Sequence, residues 1–367
     1  MNMTIIVILL IVTVLTGTSE VINTDPARRA EKETVSWETM AKIYEEVKTP
    51  YKYGVVLKSE NGEDFLCPNV FRHGDKWLMV YVSFNGAGYQ THLAESDNLL
   101  EWDPFDNILT IPGKGWDKWQ ASGGVALMDC NWGQSNTLET YKKKYWLSYI
   151  GGAREGREPD PLAIGIACTE NLEIPGEWTR VEQNPVLSSD DPDVRGFEKM
   201  TLYKSHIIWD KYQTLGFPFV MFYNGKIKSG YEKIGMAVSE DMVHWSRFGP
   251  GPVITNGEKQ GCGISGDPQI VRIGDIWVMF YFGAFWKPKI FDTFACSYDL
   301  VHWTKWDGPN LVEPSEPWDR QAAHKPWIIK HEGIVYHFYH AKGDQGQVIG
   351  LATSKDLRSF DHNSLTR

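Results

Sequence analysis

Short runs of apolar and aromatic residues, each ended by a polar turn, recur along most of the chain. One phrase is found five times: a strand-like run, a Ser or Thr, a turn with Asp or Asn and, in four copies, a closing Trp. The copies are HLAESDNLLEW (92–102), GIACTENLEIPGEW (165–178), GMAVSEDMVHW (235–245), TFACSYDLVHW (293–303) and GLATSKDLRSF (350–360). Enrichment in β-branched and aromatic residues predicts a strand followed by a tight turn in each copy.

Two further strand-like runs, joined by a glycine or a charged turn, precede each copy of this phrase. They lie at 67–84, 123–152, 200–225, 267–283 and 324–341. Each pair of runs is typical of a β-hairpin. Five units of three to four strands, with little helix between them, are hard to place in a β-sandwich. They predict an all-β fold, a five-bladed β-propeller.

The segment before the first unit begins with an apolar run at 4–15, followed by TGTSE. This run is short for a bilayer span and is typical of a secretory signal peptide, which we assign to residues 1–19; an uncleaved hydrophobic anchor is the alternative. We therefore expect a periplasmic or secreted protein, with no membrane contact after removal of the signal.

Helical spacing follows the signal region. The apolar positions are Met40, Ile43, Tyr44 and Val47, and Pro50 ends the pattern. The spacing predicts a short N-terminal helical extension within residues 20–52, ahead of a propeller domain at 53–367. Its narrow apolar face fits packing on its own propeller and also fits a homodimer.

Composition narrows the choice of ligand. The formal net charge of −10 disfavours nucleic acid and anionic membrane surfaces as partners. The 16 Trp and 16 Tyr residues suit stacking on carbohydrate as well as β-rich cores. Five cysteines without a CxxC pair indicate neither a zinc site nor a disulfide scaffold.

In a propeller, the innermost strands border a central channel, so their starts meet at its mouth. Three of the five predicted starts carry an ionisable residue: Glu198, Asp267 and His324. Neighbouring carboxyl groups raise one another's pKa, which provides the acid and the base that glycoside cleavage requires. The predicted sugar-binding residues are Glu198, Trp119, Gln120, Asn224, Trp286 and Trp327.

Several long, irregular strings make the protein resemble glycoside hydrolase family 117. They are IYEEVKTPYKYG, CPNVFRHGDKWLMVYV, AESDNLLEWD, DKYQTLGFPFVMFYN, ISGDPQIVRIGDIWVMFYFGAF and AHKPWIIKHEGIVYHFY. The resemblance implies a five-bladed propeller whose helical extension often mediates dimers. It also implies inverting, exo-acting removal of α-1,3-linked 3,6-anhydro-L-galactose from agar oligosaccharides. Among the residues, it implies that Asp267 is catalytic and that His324 is a general acid paired with Glu332.

The sequence departs from the family where the resemblance implies a general base. Leu66 stands immediately before Cys67, in place of an aspartate, and leucine cannot activate water. Asp64, two residues earlier, shares a face with that position in a regular strand and is our candidate base. Two alternatives therefore stay open: a furanosidase like those of propeller family 43, and a carbohydrate-binding propeller without catalysis.

Metal chemistry receives little support from the sequence. No cluster of ligands has a diagnostic spacing, so we predict no metal ligands and no required cofactor. A divalent cation in the central channel remains open, because some propeller glycosidases hold one there. The prediction from sequence is thus an exported exo-glycosidase whose partner is an oligosaccharide.

Overall fold

The computed structural model describes residues 34–172, 174, 176–255 and 263–358. The predicted signal peptide, residues 1–19, lies outside the described residues, as does the first part of the predicted extension. Among the residues that are described, no helix is long and apolar enough to cross a membrane. The described residues are built almost entirely into β-strands and their connections.

One helix, α1 (Trp37–Val47), lies within the predicted extension. Its N-cap is Ser36, whose side chain accepts a hydrogen bond from the Thr39 N–H at 3.2 Å. Met40, Ile43 and Val47 are buried against the β-strands of the same subunit. The apolar face of α1 is therefore covered within one subunit. A dimer through α1 remains a prediction and would have to use another side of the helix.

Twenty strands follow in the described residues, most of them with one or both faces buried. They are β1 (Tyr51–Leu57), β2 (Asp64–His73), β3 (Lys76–Phe84), β4 (Tyr89–Ser96), β5 (Asp103–Leu109), β6 (Gln120–Val125), β7 (Tyr145–Gly152), β8 (Ala163–Thr169), β9 (Thr179–Arg180), β10 (Thr201–Trp209), β11 (Phe219–Lys228), β12 (Tyr231–Ser239), β13 (Ser246–Phe248), β14 (Gly263–Ile273), β15 (Ile276–Ala284), β16 (Phe291–Ser297), β17 (Thr304–Lys305), β18 (Ala322–His331), β19 (Ile334–Gly343) and β20 (Gly346–Thr353).

These strands pair in sequence as antiparallel units. The units are β2 to β5, β6 to β9, β10 to β13, β14 to β17, and β18 to β20 with β1 added at the edge. Short parallel contacts join β4 to β6 and β12 to β14. The last unit is thus completed by the first strand, since Tyr51 pairs with Thr353.

The first strands of the units, β2, β6, β10, β14 and β18, contact one another in order, and β18 contacts β2. Side chains connect each neighbouring pair. The bonds are Val125 N to Asn69 Oδ1 (3.0 Å), Lys204 Nζ to Gly123 O (3.1 Å), Ile270 N to His206 Nδ1 (3.0 Å), Ile328 N to Gln269 Oε1 (2.7 Å) and Trp327 Nε1 to Val70 O (2.8 Å). These five strands therefore form a closed ring, which we call the inner ring.

The repeated sequence phrase forms a recurring turn after the third strand of a unit. In one copy, Ser239 Oγ accepts hydrogen bonds from the N–H groups of Asp241 and Met242, at 3.1 and 3.0 Å. Met242 adopts a left-handed φ of 73°, and Trp245 Nε1 donates to its carbonyl at 2.9 Å. The serine and the tryptophan of the phrase thus satisfy backbone groups that the turn would otherwise leave unpaired.

Candidate active site

β-Bulges at matching points of the inner ring aim side chains into the channel. The antiparallel register shifts between Leu66 and Asn69, between Gly266 and Gln269, and between His324 and Trp327. The residues before the bulge prolines are Cys67, Asp267 and Lys325, with φ values of 53°, 53° and 61°. Such left-handed backbone costs a non-glycine residue about 1 kcal/mol or more. The strand pairing on either side offsets this cost. The left-handed conformation turns the side chain of each of these residues towards the channel.

These bulges correct the predicted alignment of the strand starts. On β10 the register shift falls between Tyr203 and Ser205, so the matching residue there is Lys204 and not Glu198. On β18 the matching residue is Lys325, with His324 one position earlier. The mouth of the inner ring thus brings one carboxylate, Asp267, together with two lysines.

A cavity of about 190 Å³ opens at this mouth. Three carboxyl groups line it, and two of them, Glu158 and Glu232, were not predicted from the sequence. The other polar lining residues include Cys67, Ser122, Tyr203, Lys204, Asn224, Asp267, His324 and Lys325. Phe282 and Phe285 supply aromatic surface. The cavity therefore combines acids, lysines and aromatic rings, which suits a polar ring-shaped ligand such as a sugar.

Asn224 connects two of the carboxyl groups. Its Nδ2 lies 3.2 Å from Asp267 Oδ1 and 3.3 Å from Glu232 Oε2. Its Oδ1 accepts a hydrogen bond from the Asp267 N–H at 2.9 Å. The approach requires a glycine at 266, because a Cβ there would lie 2.3 Å from Asn224 Nδ2. Asn224, a predicted sugar-binding residue, thus lines the cavity and fixes the two acids side by side.

The environment favours the protonated form of Glu232. Burial, followed by the nearby charges of Asp267 and Glu158, raises its pKa to about 7, against the opposing effect of Lys325. A carboxyl group with this pKa carries a proton in about half of the molecules at neutral pH. Glu232 is therefore suited to donate a proton.

Lys325 supplies a positive charge beside Asp267. Its Nζ lies 3.6 Å from Asp267 Oδ2 and 3.7 Å from Cys67 Sγ. Burial disfavours its charged form, but Asp267, Cys67 and Glu158 outweigh burial and raise the pKa of Lys325 well above its ordinary value. The ammonium group therefore remains charged within the channel.

Glu158 lies in the connection between β7 and β8, residues 153–162, which we call the β7–β8 loop. Gln120, another predicted sugar-binding residue, is fully buried and donates from Nε2 to the carbonyls of Arg154 and Gly156, at 3.0 and 2.9 Å. Gly156 N also donates to Ala87 O at 2.7 Å. Gln120 thus holds the loop and, through it, Glu158.

The predicted base, Asp64, contacts the same loop. Its carboxylate pairs with Arg157, the neighbour of Glu158, and accepts from Gln347 Nε2 at 2.7 Å. Asp64 does not line the cavity that holds Asp267. Leu66 is 4% exposed, within a small apolar cluster. Asp64 therefore lies where it can position the loop.

The predicted pairing of His324 with Glu332 is wrong. Glu332 lies in the turn after β18, with its side chain 82% exposed and His331 as its neighbour at 3.7 Å. Eight residues of strand separate it from His324 by roughly 26 Å, at about 3.3 Å per residue. The two residues would share a face of a regular strand, but they lie at opposite ends of it.

His324 does line the cavity, in an apolar and aromatic setting. Its ring lies 4.4 Å from that of His340 and 5.2 Å from that of Phe282. Burial lowers the pKa of His324 to about 3, so its imidazole is neutral near pH 7. Among the described residues, its Nδ1 has no hydrogen-bond partner. It can bind a substrate hydroxyl, but it is rarely in the imidazolium form that a general acid requires.

Glu198 is not a cavity residue. It is fully buried and accepts hydrogen bonds from Arg195 Nε (3.2 Å), Arg247 Nε (2.5 Å) and Tyr223 OH (2.7 Å). Although burial raises the pKa of Glu198, hydrogen bonds from Arg195 and Tyr223 outweigh burial and hold the pKa below its ordinary value. Its charge is thus compensated by a network that joins β11 and β13 to the segment before β10.

The three predicted sugar-stacking tryptophans also lie outside the cavity lining. Trp327 is 3% exposed and bonds Val70 O within the inner ring. Trp286 Nε1 donates to Ile264 O at 2.9 Å, and its ring packs over Gly283. Trp119 N donates to Gly152 O at 2.9 Å, and the Trp119 carbonyl lies against Gly88. Aromatic surface in the cavity comes instead from Phe282 and Phe285.

A metal site is not evident in the part of the protein that the structure describes, where no group of three or more His, Cys, Asp and Glu residues is arranged to hold an ion. The channel does contain the positive charge of Lys325 next to Asp267. The prediction that no cofactor is required remains untested, as does the cation in the channel.

An all-β ring with a carboxylate-lined cavity at its mouth is an arrangement suited to glycoside cleavage, and comparison with solved structures agrees. The protein is 45% identical to BT0996, whose structure is named as a complex with RGII, and the TM-score is 0.83 over 88% of this sequence and 97% of that one. A structure named "Glycoside hydrolase" matches at 44% identity, with the same TM-score of 0.83 and the same coverage, 88% and 97%. The protein belongs to the glycoside hydrolases.

More distant structures share the fold alone. A thermostable family-43 glycoside hydrolase matches at 15% identity, with a TM-score of 0.58 over 82% of this sequence and 91% of that one. Zg3597, a family 117 glycoside hydrolase from the marine bacterium Zobellia galactanivorans, matches at 12% identity, with a TM-score of 0.56 over 86% and 92%. No protein-family model matches the sequence, and no curated protein matches it. The neighbours are propeller-fold enzymes, and a specific place in family 117 is not confirmed.

Proposed function

We propose that this glycoside hydrolase is exo-acting and removes one terminal sugar from an oligosaccharide. The observation that carries the proposal is the cavity of about 190 Å³ in which Glu232 and Asp267 contact the same amide, with Glu158 also in the lining. Pockets for drug-sized ligands hold about 300–1,000 Å³, so this one suits a single sugar ring. A site of that size favours cleavage at the end of a glycan.

In this proposal Glu232 is the general acid that protonates the leaving oxygen. Glu158 is the second catalytic carboxylate, acting on the anomeric carbon or on a water beside it. Asp267 helps to keep Glu232 protonated, with Lys325 as its counter-ion. The acid role thus moves from His324, whose neutral ring is better suited to bind a sugar hydroxyl. The base predicted at Asp64 is replaced by Glu158.

The key experiment is Glu232→Gln. Glutamine keeps the shape and cannot donate an acidic proton, so we expect kcat on a natural glycoside to fall by about 10³-fold. An aryl glycoside with a good leaving group needs less protonation of its leaving oxygen, so we expect a smaller fall in kcat on that substrate. Glu332→Gln, at the far end of β18, is the matched control and keeps full activity. Equal activity of Glu232→Gln and the unmodified enzyme on both substrates would refute the assignment.

For the substrate, we propose a terminal sugar of RGII or of a similar glycan. The relative that is 45% identical is named as a complex with RGII. The 3,6-anhydro-L-galactose that the family resemblance implies is the second candidate, since the family 117 structure that matches is only 12% identical. A family 43-like furanosidase activity is the third. Sugars released from RGII, agar and arabinan oligosaccharides distinguish the three, and NMR of the first-formed anomer tests the predicted inversion.

We also propose that the antiparallel units are the blades of a five-bladed propeller and that the protein is exported. The closed inner ring supports the blade count. The apolar run at 4–15 supports periplasmic or secreted location. The mass of the mature N-terminus in fractionated cells tests export, with cleavage near residue 19 as the expected result. Light scattering tests the homodimer through the N-terminal extension.

A further inference from the structure

A second cavity opens beside the catalytic one. It holds about 560 Å³ and is formed by the connection between β15 and β16 and by the segment that precedes β18. Phe285 and Ile290 line both cavities. A ligand longer than one sugar can therefore extend from the catalytic cavity past Phe285 into the second one.

The second cavity is positively charged. Lys287, Lys289 and Arg320 line it, and its described lining contains no carboxylate. We call this surface the basic groove. It stands out in a protein whose formal net charge is −10. Positive charge at this position favours an anionic group on the ligand.

The cations of the basic groove can exchange partners at little cost. Lys289 pairs with Glu313 at 2.9 Å, with side chains 50% and 43% exposed, and Arg320 pairs with Asp344, with side chains 63% and 42% exposed. Exposed pairs of this kind contribute little to stability. A ligand carboxylate can therefore replace either acidic partner.

Lys287 is the least compensated of the three. Its Nζ donates to the neutral amide oxygen of Asn310 at 2.9 Å. Burial lowers the pKa of Lys287, and the charges of Asp307 and Glu313 offset only part of that effect. A carboxylate brought by a ligand would compensate this half-buried ammonium group directly.

Phe285 marks the passage between the two cavities. Its φ is 66°, in the left-handed region that a phenylalanine rarely adopts, and its side chain is exposed, with the residue 53% accessible. Strained backbone that presents an aromatic ring to solvent next to a catalytic cavity indicates a functional contact. An exposed ring of this kind can stack on the face of a sugar.

We propose that the basic groove is a leaving-group subsite for an acidic sugar, a uronic acid or another carboxylate-bearing residue, next to the terminal sugar that is cleaved. The term leaving-group rests on the proposed exo-hydrolase function. Phe285 stacks on the glycan where it passes between the cavities, and Lys287, Lys289 and Arg320 bind the carboxylate. The enzyme thereby selects acidic oligosaccharides over neutral ones.

Calorimetry tests the subsite with trigalacturonic acid and its carboxyl-reduced, neutral form as probes. We expect the acidic probe to bind at least about tenfold more tightly, with an affinity that falls as salt rises. Lys287→Gln with Lys289→Gln removes this preference. The control variant, Lys42→Gln with Lys76→Gln, has the same change in net charge outside the basic groove and keeps the preference for the acidic probe. Phe285→Ala weakens both probes equally.

Equal affinity for the two probes, no binding of either, or an unchanged preference in the Lys287 and Lys289 double variant would overturn the proposal. Because binding requires no bond cleavage, this result is separate from the activity test. A protein that prefers the acidic probe but cleaves no glycoside retains the subsite and refutes the proposed hydrolysis. A protein that cleaves glycosides but binds both probes equally supports the proposed hydrolysis and refutes the subsite.

Discussion

At the residue scale, the proposed mechanism depends on how one carboxyl group, that of Glu232, keeps its proton. Glu232 shares the Asn224 amide with Asp267, and burial with two nearby carboxylates raises its pKa to about 7. The acid is therefore tuned by its neighbours, as in other enzymes that set one carboxyl group against another. Lys325 limits the effect by compensating Asp267.

The pH profile should report this tuning. Glu232 is protonated below its pKa, so kcat/KM should fall as pH rises through about 7. Asp267→Asn removes one of the charges that raise the pKa of Glu232, and we therefore expect the basic limb to move to lower pH. The pH profiles of kcat/KM for the unmodified enzyme and Asp267→Asn, measured on one substrate, check this prediction. A basic limb at the same pH in both proteins would mean that a group other than Glu232 determines it.

At the same scale, the sequence predicted some residues of the site and missed others. Asp267 was predicted because it stands at a predicted strand start and in a string that resembles family 117, and Asn224 was among the predicted sugar-binding residues. Glu232, on a third strand, and Glu158, on a loop, lie outside the aligned strand starts. The recurring Cys-Pro, Asp-Pro and Lys-Pro pairs of β2, β14 and β18 were the available signal for the correct alignment, since a proline inside an inner strand indicates a bulge.

At the scale of elements, the β7–β8 loop is held from two units. Gln120 bonds it from β6, and Asp64 on β2 pairs with Arg157 next to Glu158. The loop carries a proposed catalytic carboxylate, so its supports should matter for rate more than for binding. Sequence alone could not give these contacts, because the partners are far apart along the sequence and no local pattern records them.

Asp64→Asn tests whether this residue positions the loop or acts as the base. A positioning role predicts a fall in kcat of about tenfold, with KM little changed and a pH profile of unchanged shape. Arg157→Gln should have a similar effect, and the double variant should be no worse than either single one. A loss near 10³-fold in Asp64→Asn alone, with the acidic limb gone, would instead restore the base role.

The recurring turn supports a stability prediction. Ser239 Oγ accepts from two backbone N–H groups, and Ser297 Oγ accepts from the Asp299 N–H at 3.1 Å. Each of Ser239→Ala and Ser297→Ala should lower the free energy of unfolding by about 1 kcal/mol. Denaturant unfolding measures this, with the exposed Ser246→Ala as control. Because the two serines lie in different units and share no hydrogen-bond partner, the losses should add. A double variant as stable as the unmodified protein would contradict the account.

The repeat can be recognised in the sequence because its hydrogen bonds are local. The serine, the left-handed residue and the tryptophan act within one turn, so a local pattern records them. This is why the all-β organisation and the antiparallel units followed from the sequence, whereas the packing of the tryptophans between strands did not.

At the scale of the whole molecule, the last unit is closed by the first strand. Lys52 on β1 pairs with the fully buried Asp319 and donates to Tyr339 OH at 3.2 Å. Lys52→Met should destabilise the protein by about 3 kcal/mol, because it leaves a buried carboxylate without its counter-charge. Calorimetry should still give one unfolding transition, at lower temperature, since the inner ring couples all units. Two separate transitions would show that the last unit unfolds independently.

The pairing of Tyr51 with Thr353 also constrains how the protein is made. A ribosome completes β1 long before β20 exists, so the partner edge for this early strand is absent during most of translation. The last unit can therefore be completed only after about 300 further residues have emerged, and until then β1 lacks its partner strand. Synthesis order and spatial order therefore disagree at this one seam between β1 and β20.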